Sequence, residues 1–172
     1  MSPRKKEPHI FVIIAIGANL PAADGSLALQ TCDRAVRALA ALPGLSGCVR
    51  SRWFSSAPVP PSGQPRYING ALRAACSLSP DALLAALQAV ELAHGRVRGE
   101  ANAARTLDLD IIDMGGTIRA APDPILPHPR AHLRAFVLYP LRDVAPGWVH
   151  PVTRESVEAL IGRLPPQDIR QA

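Results

Sequence analysis

Between Thr106 and Ile112 the chain reads Thr-Leu-Asp-Leu-Asp-Ile-Ile, an alternation of period two. An extended strand satisfies it, turning Leu107, Leu109 and Ile111 to one face and Asp108 and Asp110 to the other. The apolar face requires a packed layer against it, so the chain is expected to build a sheet covered by other elements. The polar face sets two carboxylates above one small region, which is costly unless positive charge lies between them. Hard oxygen ligands at this spacing suit Mg²⁺, which takes one or two carboxylates plus waters and phosphate oxygens. A strand with a solvated polar face is the alternative, and the neighbouring residues must decide.

The rest of the chain supplies the layers. Ile10 to Ile16 is an uninterrupted apolar run of seven residues closed by Gly17-Ala18-Asn19, too short to span a bilayer and suited to a buried strand. Leu27, Leu29, Ala35, Val36, Leu39 and Leu42 recur at helical spacing as far as Pro43-Gly44. A second strand is expected over Cys48 to Phe54, a Pro-rich loop over 55–65, and a third strand over Tyr67 to Cys76. Ser79-Pro80-Asp81 opens a helix, with Ser as cap and Pro in its first turn, and Gly95 ends it. After the Asp-bearing strand, a Pro-rich loop leads to a helical stretch 133–144 broken at Pro140, and a last helix spans Glu155 to Leu164, capped by Thr153. The order β-α-β-β-α-β predicts an α+β sandwich, mostly antiparallel, with helices packed on the sheet.

A length of 172 residues fits one domain, expected over 9–172 after a flexible tail at 1–8. Hydrophobic residues reach 48%, which rules out a disordered chain and allows a core without disulfides. Three cysteines, Cys32, Cys48 and Cys76, show no metal-ligand spacing and fit a reducing compartment, here the cytoplasm. The net charge of +5 rests on arginine, with Lys5 and Lys6 the two lysines.

Several arginines cluster in sequence around the paired Asp. Arg96 and Arg98 close the second long helix and Arg105 stands three residues before Asp108. A loop flanked by Arg96 and Arg105 makes a clamp for phosphates bridged by Mg²⁺, although arginines at a helix C-terminus also answer the helix dipole. Pro127-His128-Pro129-Arg130 keeps His128, Arg130, His132 and Arg134 local to one another. Tyr67 and Asn69 face the same way on the third strand, where an amide reads the edge of a flat heterocycle and an aromatic stacks on its face. The alternative there is an edge-strand Asn beside a core Tyr. Glycine-rich P-loop and dinucleotide-binding sequences are absent from the chain.

The stretches "IAIGANL", "SRWFSSAPV", "QPRYINGAL", "LLAALQAVELAHGRVR", "RTLDLDII" and "LPHPRAHLRAFVLYPL", in that order, resemble the 6-hydroxymethyl-7,8-dihydropterin pyrophosphokinase family of folate synthesis. The resemblance implies a ferredoxin-like fold and transfer of pyrophosphate from MgATP to the pterin's hydroxymethyl group, releasing AMP. It implies that Asp108 and Asp110 hold two Mg²⁺ ions and that Arg96 and Arg105 engage the phosphates as the loop between them closes. His128 and Arg134, with Arg98, would contact ATP, and Leu84, Gln88, Glu91 and Ile111 would line the nucleotide side. Asn69 would read the pterin edge between Tyr67 and Phe136, with Ser56, Pro58 and Val59 completing the pocket. ATP and the pterin are the partners expected of a monomer, with no nucleic acid and no membrane.

Many family members carry Arg-Trp-Gly-Pro-Arg before the Leu-Asp-Leu-Asp strand, where this chain has Asn102-Ala103-Ala104-Arg105. One phosphate arginine and a Trp lid are therefore missing, which predicts weaker closure of the site. Two rival functions remain at the level of sequence. An RNA-binding sheet is one, opposed by 4% aromatic content and by paired Asp that would repel phosphate. A degenerate regulatory homologue is the other, supported by the altered loop alone.

Overall fold

The structure, a computed structural model, describes residues 9–97 and 104–172. The expected tail at 1–8 and Arg98 lie outside the described residues. Strand β1 (Ile10–Ala18) is the backbone of the sheet, pairing antiparallel with β4 (Tyr67–Cys76) on one side and β5 (Asp108–Met114) on the other. Its β-branched residues are buried from Val12 to Ile14 without alternation, because both faces of the sheet carry helices there.

The expected second strand is two strands. β2 (Leu45–Arg50) pairs with the C-terminal half of β4, and β3 (Phe54–Ser56) pairs with its N-terminal end. Between them Ser51 takes over the ladder: its N–H donates to the Ala71 carbonyl and its Oγ accepts the Ala71 N–H at 2.8 Å. The kink lets Trp53 fold under β4 against Gly70, where a Cβ would lie 2.4 Å from the indole. A short sixth strand, β6 (Ile169–Gln171), pairs with β3, giving the order β5-β1-β4-β3-β6 with every pairing antiparallel.

Helices α1 (Ala28–Ala40) and α2 (Pro80–Ala93) cover one face. Cys32, Leu39, Leu83 and Leu87 pack there on Ile14, Leu72, Leu109 and Ile111. Gln30 closes the start of α1 by accepting the Leu27 N–H at 2.8 Å, and Ser79 Oγ caps α2 through the Ala82 N–H at 3.2 Å. These elements form the ferredoxin-like β-α-β-β-α-β unit, with its second strand, on the outer side of β4, kinked into β2 and β3.

Helices α3 (Ala135–Val144) and α4 (Val157–Arg163) form a third layer on the opposite face, where Val137, Leu138, Leu141 and Leu160 pack on Ile13 and Ile112. The expected break at Pro140 is absent. The ring removes one N–H from the helix, and burial of Leu138, Leu141 and Val144 on either side holds the turn together. Thr153 is not the cap of α4: it accepts the Glu155 N–H in the preceding turn, and Ser156 Oγ caps the helix through Ala159. With helices on both faces, the sheet lacks the broad open platform that the RNA reading requires. Among the described residues, no helix is long and apolar enough to cross a membrane.

Candidate active site

Asp108 and Asp110 open β5, and their direction follows from the strand's pairing. Asp108 sits opposite Gly17 and Asp110 opposite Ala15, while Leu107, Leu109 and Ile111 turn into the α1/α2 core. The two carboxylates therefore share the face that α3 and α4 cover further along, at Ile13 and Ile112. At Asp108 and Asp110 that cover ends, leaving a cavity of about 530 Å³. A third carboxylate follows in the same strand, but a bulge opposite Ile13–Ile14 separates it from this set. Asp113 is instead buried, accepting the Trp148 indole N–H at 2.9 Å and the Gly116 N–H at 3.1 Å.

The acidic pair is ringed by bases from both flanking loops. Arg96 and Arg105 converge on Asp108 Oδ1 at 2.8 and 2.7 Å. Arg134 lines the cavity, its guanidinium 5.3 Å above the Phe136 ring, and burial with the nearby Arg130 lowers its proton affinity. Asp110 has no guanidinium partner within salt-bridge distance among the described residues. Burial, then the charges of Asp108 and Glu91, push its carboxyl well above the ordinary carboxylate range. His128 Nε2 lies 4.0 Å from Asp110 Oδ2.

His128 is held neutral, pushed down to about 4 by burial first and then by Arg134 and Arg130. Its Nδ1 accepts the Arg130 N–H at 3.2 Å, which puts the ring proton on Nε2, facing the acidic pair. Pro127 and Pro129 flank this turn, and the His128 N–H donates to the Ile112 carbonyl, tying the loop to β5.

The other end of the cavity is uncharged. Asn69 is buried on β4 and donates from Nδ2 to Ser56 Oγ at 2.7 Å. Its Oδ1 closes on Gly17, where an added Cβ would lie 3.3 Å away. Ser56, Pro58, Val59, Tyr67 and Phe136 join it in the lining. The cavity thus unites six expected pterin residues with Arg105, Asp108, Asp110, His128 and Arg134. Arg96 touches it through Asp108.

Leu84, Gln88, Glu91 and Ile111 are not part of that lining. Leu84 and Ile111 pack in the α1/α2 core, Gln88 is half-buried on α2, and Glu91 is buried behind Asp108. Glu91 Oε1 accepts the Leu109 N–H at 2.7 Å and forms a close ion pair with Arg96, which fixes Arg96 against β5. Desolvation raises its pKa.

Sequence reasoning passed over Asn19 and Gln64. Asn19 Nδ2 donates to Gln64 Oε1 and the Pro65 carbonyl, each at 3.1 Å, and its Oδ1 accepts the Arg105 N–H at 2.9 Å. One buried amide therefore ties the loop before Tyr67 to the arginine before Asp108. The hint available in the sequence was a polar residue ending the Gly17-Ala18-Asn19 turn of an otherwise apolar run.

The donor set fits Mg²⁺. Among the described residues no three His, Cys, Asp or Glu side chains gather into a self-sufficient cage. Two adjacent carboxylates, Asp110 with no guanidinium at salt-bridge distance among the described residues, are instead the partial set that Mg²⁺ completes with water and phosphate oxygens.

A family model described as 7,8-dihydro-6-hydroxymethylpterin-pyrophosphokinase matches residues 13–146. A 2-amino-4-hydroxy-6-hydroxymethyldihydropteridine pyrophosphokinase of Pseudomonas aeruginosa is 40% identical over 151 residues, covering 87% of this chain and 89% of that protein. A Synechocystis protein of the same name is 36% identical over 87% of this chain and 73% of its own length. The fold is similar to that of a wild-type Plasmodium falciparum HPPK-DHPS crystal structure, with TM-score 0.67 at 10% identity. That likeness covers 93% of this chain but 44% of the Plasmodium chain, so this chain spans less than half of that protein. By family model and by relatives matched over most of both lengths, the chain belongs to the 7,8-dihydro-6-hydroxymethylpterin-pyrophosphokinase family.

Proposed function

We propose that this chain transfers the β,γ-pyrophosphoryl group of MgATP to the hydroxymethyl oxygen of 6-hydroxymethyl-7,8-dihydropterin, as an ATP-dependent diphosphotransferase of folate synthesis. The observation that carries this reading is one cavity with an amide-and-aromatic end and an end of paired carboxylates among arginines. In the reaction the hydroxymethyl oxygen bonds to the β-phosphorus, the bond bridging the α- and β-phosphates breaks, AMP leaves and the hydroxyl proton is released. Two Mg²⁺ ions, held by Asp108 and Asp110, would supply charge neutralisation for the triphosphate and the attacking oxygen.

The protein's own contribution is placement and charge. Asn69, oriented by Ser56, reads the pterin edge, and Tyr67 and Phe136 hold the ring by its faces. Arg105 and Arg96 exchange Asp108 for phosphate oxygens as nucleotide arrives, with Glu91 keeping Arg96 on its track. Neutral His128 donates a hydrogen bond from Nε2–H to a phosphate oxygen, and Arg134 supplies fixed positive charge. Leu84, Gln88 and Ile111 would support the nucleotide end from the α2 side without lining the cavity, and Arg98 is a further positive charge for the phosphates. The free thiols Cys32, Cys48 and Cys76 fit a monomer working in the cytoplasm.

Calorimetry separates the two ends. Asn69→Ala is expected to weaken pterin binding by at least tenfold and leave the affinity for a non-hydrolysable MgATP analogue within twofold. Asp108→Asn/Asp110→Asn is expected to do the reverse. Equal effects of both variants on both ligands would contradict the division of the cavity.

A further inference from the structure

Arg130 is the charged residue of the cavity that the reading above leaves without a role. It comes from the loop after β5, whereas Arg105 comes from the loop before it, and its side chain lines the same space as Arg105, Arg134, Asp108 and Asp110. It is solvent-exposed, and no carboxylate pairs with it among the described residues. Arg96 and Arg105, by contrast, are both paired with carboxylates, Arg96 with Glu91 and Asp108 and Arg105 with Asp108. Arg130 depresses the proton affinity of both His128 and Arg134, so its charge is felt across this end of the cavity.

The stem of Arg130 is fixed. Its N–H is bound to His128 Nδ1, the Ala131 N–H donates to the His128 carbonyl at 3.2 Å, and the Leu133 N–H donates to the Arg130 carbonyl at 3.1 Å. The guanidinium therefore projects from a closed turn between Pro129 and the short 3₁₀ segment Ala131–Leu133. Gathering Arg130 and Arg134, with no carboxylate paired to Arg130 among the described residues, is unfavourable. An anion with several oxygens, entering beside the acidic pair, reverses the sign of that interaction.

We infer that Arg130 is a phosphate-binding residue, engaging the nucleotide's triphosphate from the loop after β5. The inference rests on the diphosphotransferase reading. It also bears on the loop at 102–105, where this chain lacks the Arg-Trp pair: Arg130 supplies substrate-facing positive charge from a different segment.

The test compares Arg130→Ala and Arg130→Lys with wild type. Removing a charge-assisted phosphate contact is expected to raise the dissociation constant for a non-hydrolysable MgATP analogue, and KM for ATP, by about tenfold or more. Lys should recover part of the loss, pterin affinity should stay within twofold, and the salt dependence of nucleotide binding should flatten. The melting temperature of the ligand-free Ala variant should equal or exceed that of wild type, because repulsion with Arg134 is relieved. An unchanged nucleotide affinity in a folded Ala variant would overturn the inference while leaving the diphosphotransferase reading standing. A lowered melting temperature with parallel loss of both ligands would overturn it in favour of a purely structural role. Wild-type protein that binds neither substrate would remove both readings.

Discussion

At the scale of single residues the site works by leaving charges unbalanced. Among the described residues Asp110 has no guanidinium at salt-bridge distance and Arg130 no paired carboxylate, and burial holds His128 neutral beside them. The histidine gives a pH signature. Its ordinary pKa of 6.5 falls to about 4 in the folded protein, so the unfolded chain binds the proton more readily. Stability from a neutral His128 is therefore complete above pH 6.5 and lost as the pH falls from there towards 4. Subtracting the unfolding free energy of His128→Gln from that of wild type, measured by urea at a series of pH values, isolates this contribution. The difference should be flat above pH 6.5 and turn against wild type below it; a difference independent of pH would contradict the buried, neutral ring. Much at this scale was legible, because Leu-Asp-Leu-Asp fixes which way two carboxylates point. The roles of Asn19 and Glu91 were not, since each acts through partners brought together only by the fold.

At the scale of elements, legibility followed how local the determining forces are. Ser79 and Pro80 mark a helix start because capping involves residues three apart. The break between β2 and β3 depends on Trp53 reaching Gly70, seventeen positions on, and no local pattern in Cys48 to Phe54 records it. β6 is still less visible, as three residues pair with a strand more than a hundred positions earlier. Pro140 shows the converse, a strong local signal overridden by burial on either side of it. The Trp53–Gly70 contact has a measurable consequence. Trp53 is held by its indole N–H on Asp33 at 3.0 Å, so a methyl group placed 2.4 Å from the ring forces the indole or β4 to move. Gly70→Ala is expected to cost about 1–3 kcal/mol of stability in urea unfolding, the range for overpacking a filled core. A cost below about 0.5 kcal/mol, the range of neutral surface changes, would show that the kink yields.

At the scale of the whole molecule, three layers meet around one opening. The ferredoxin-like unit supplies β1, β4 and β5, whose adjacent ends carry Gly17, Asn69 and Asp108 in register. The third layer of α3 and α4 covers the same face of the sheet only as far as Ile13 and Ile112, and Phe136 and Val137 from α3 become one wall of the cavity. The candidate site is thus the gap between an α+β core and an added helical layer. Arg105, the residue of the 102–105 stretch that keeps the family's arginine, still pairs with Asp108 at 2.7 Å, and Asn69 lies on β4 away from it. The most direct test is to incubate purified protein with MgATP and 6-hydroxymethyl-7,8-dihydropterin and follow AMP by chromatography, with Asp108→Ala/Asp110→Ala alongside. The account predicts AMP that requires the pterin and falls by at least a thousandfold in the double variant. Folded wild-type protein that binds both substrates yet releases no AMP would contradict it.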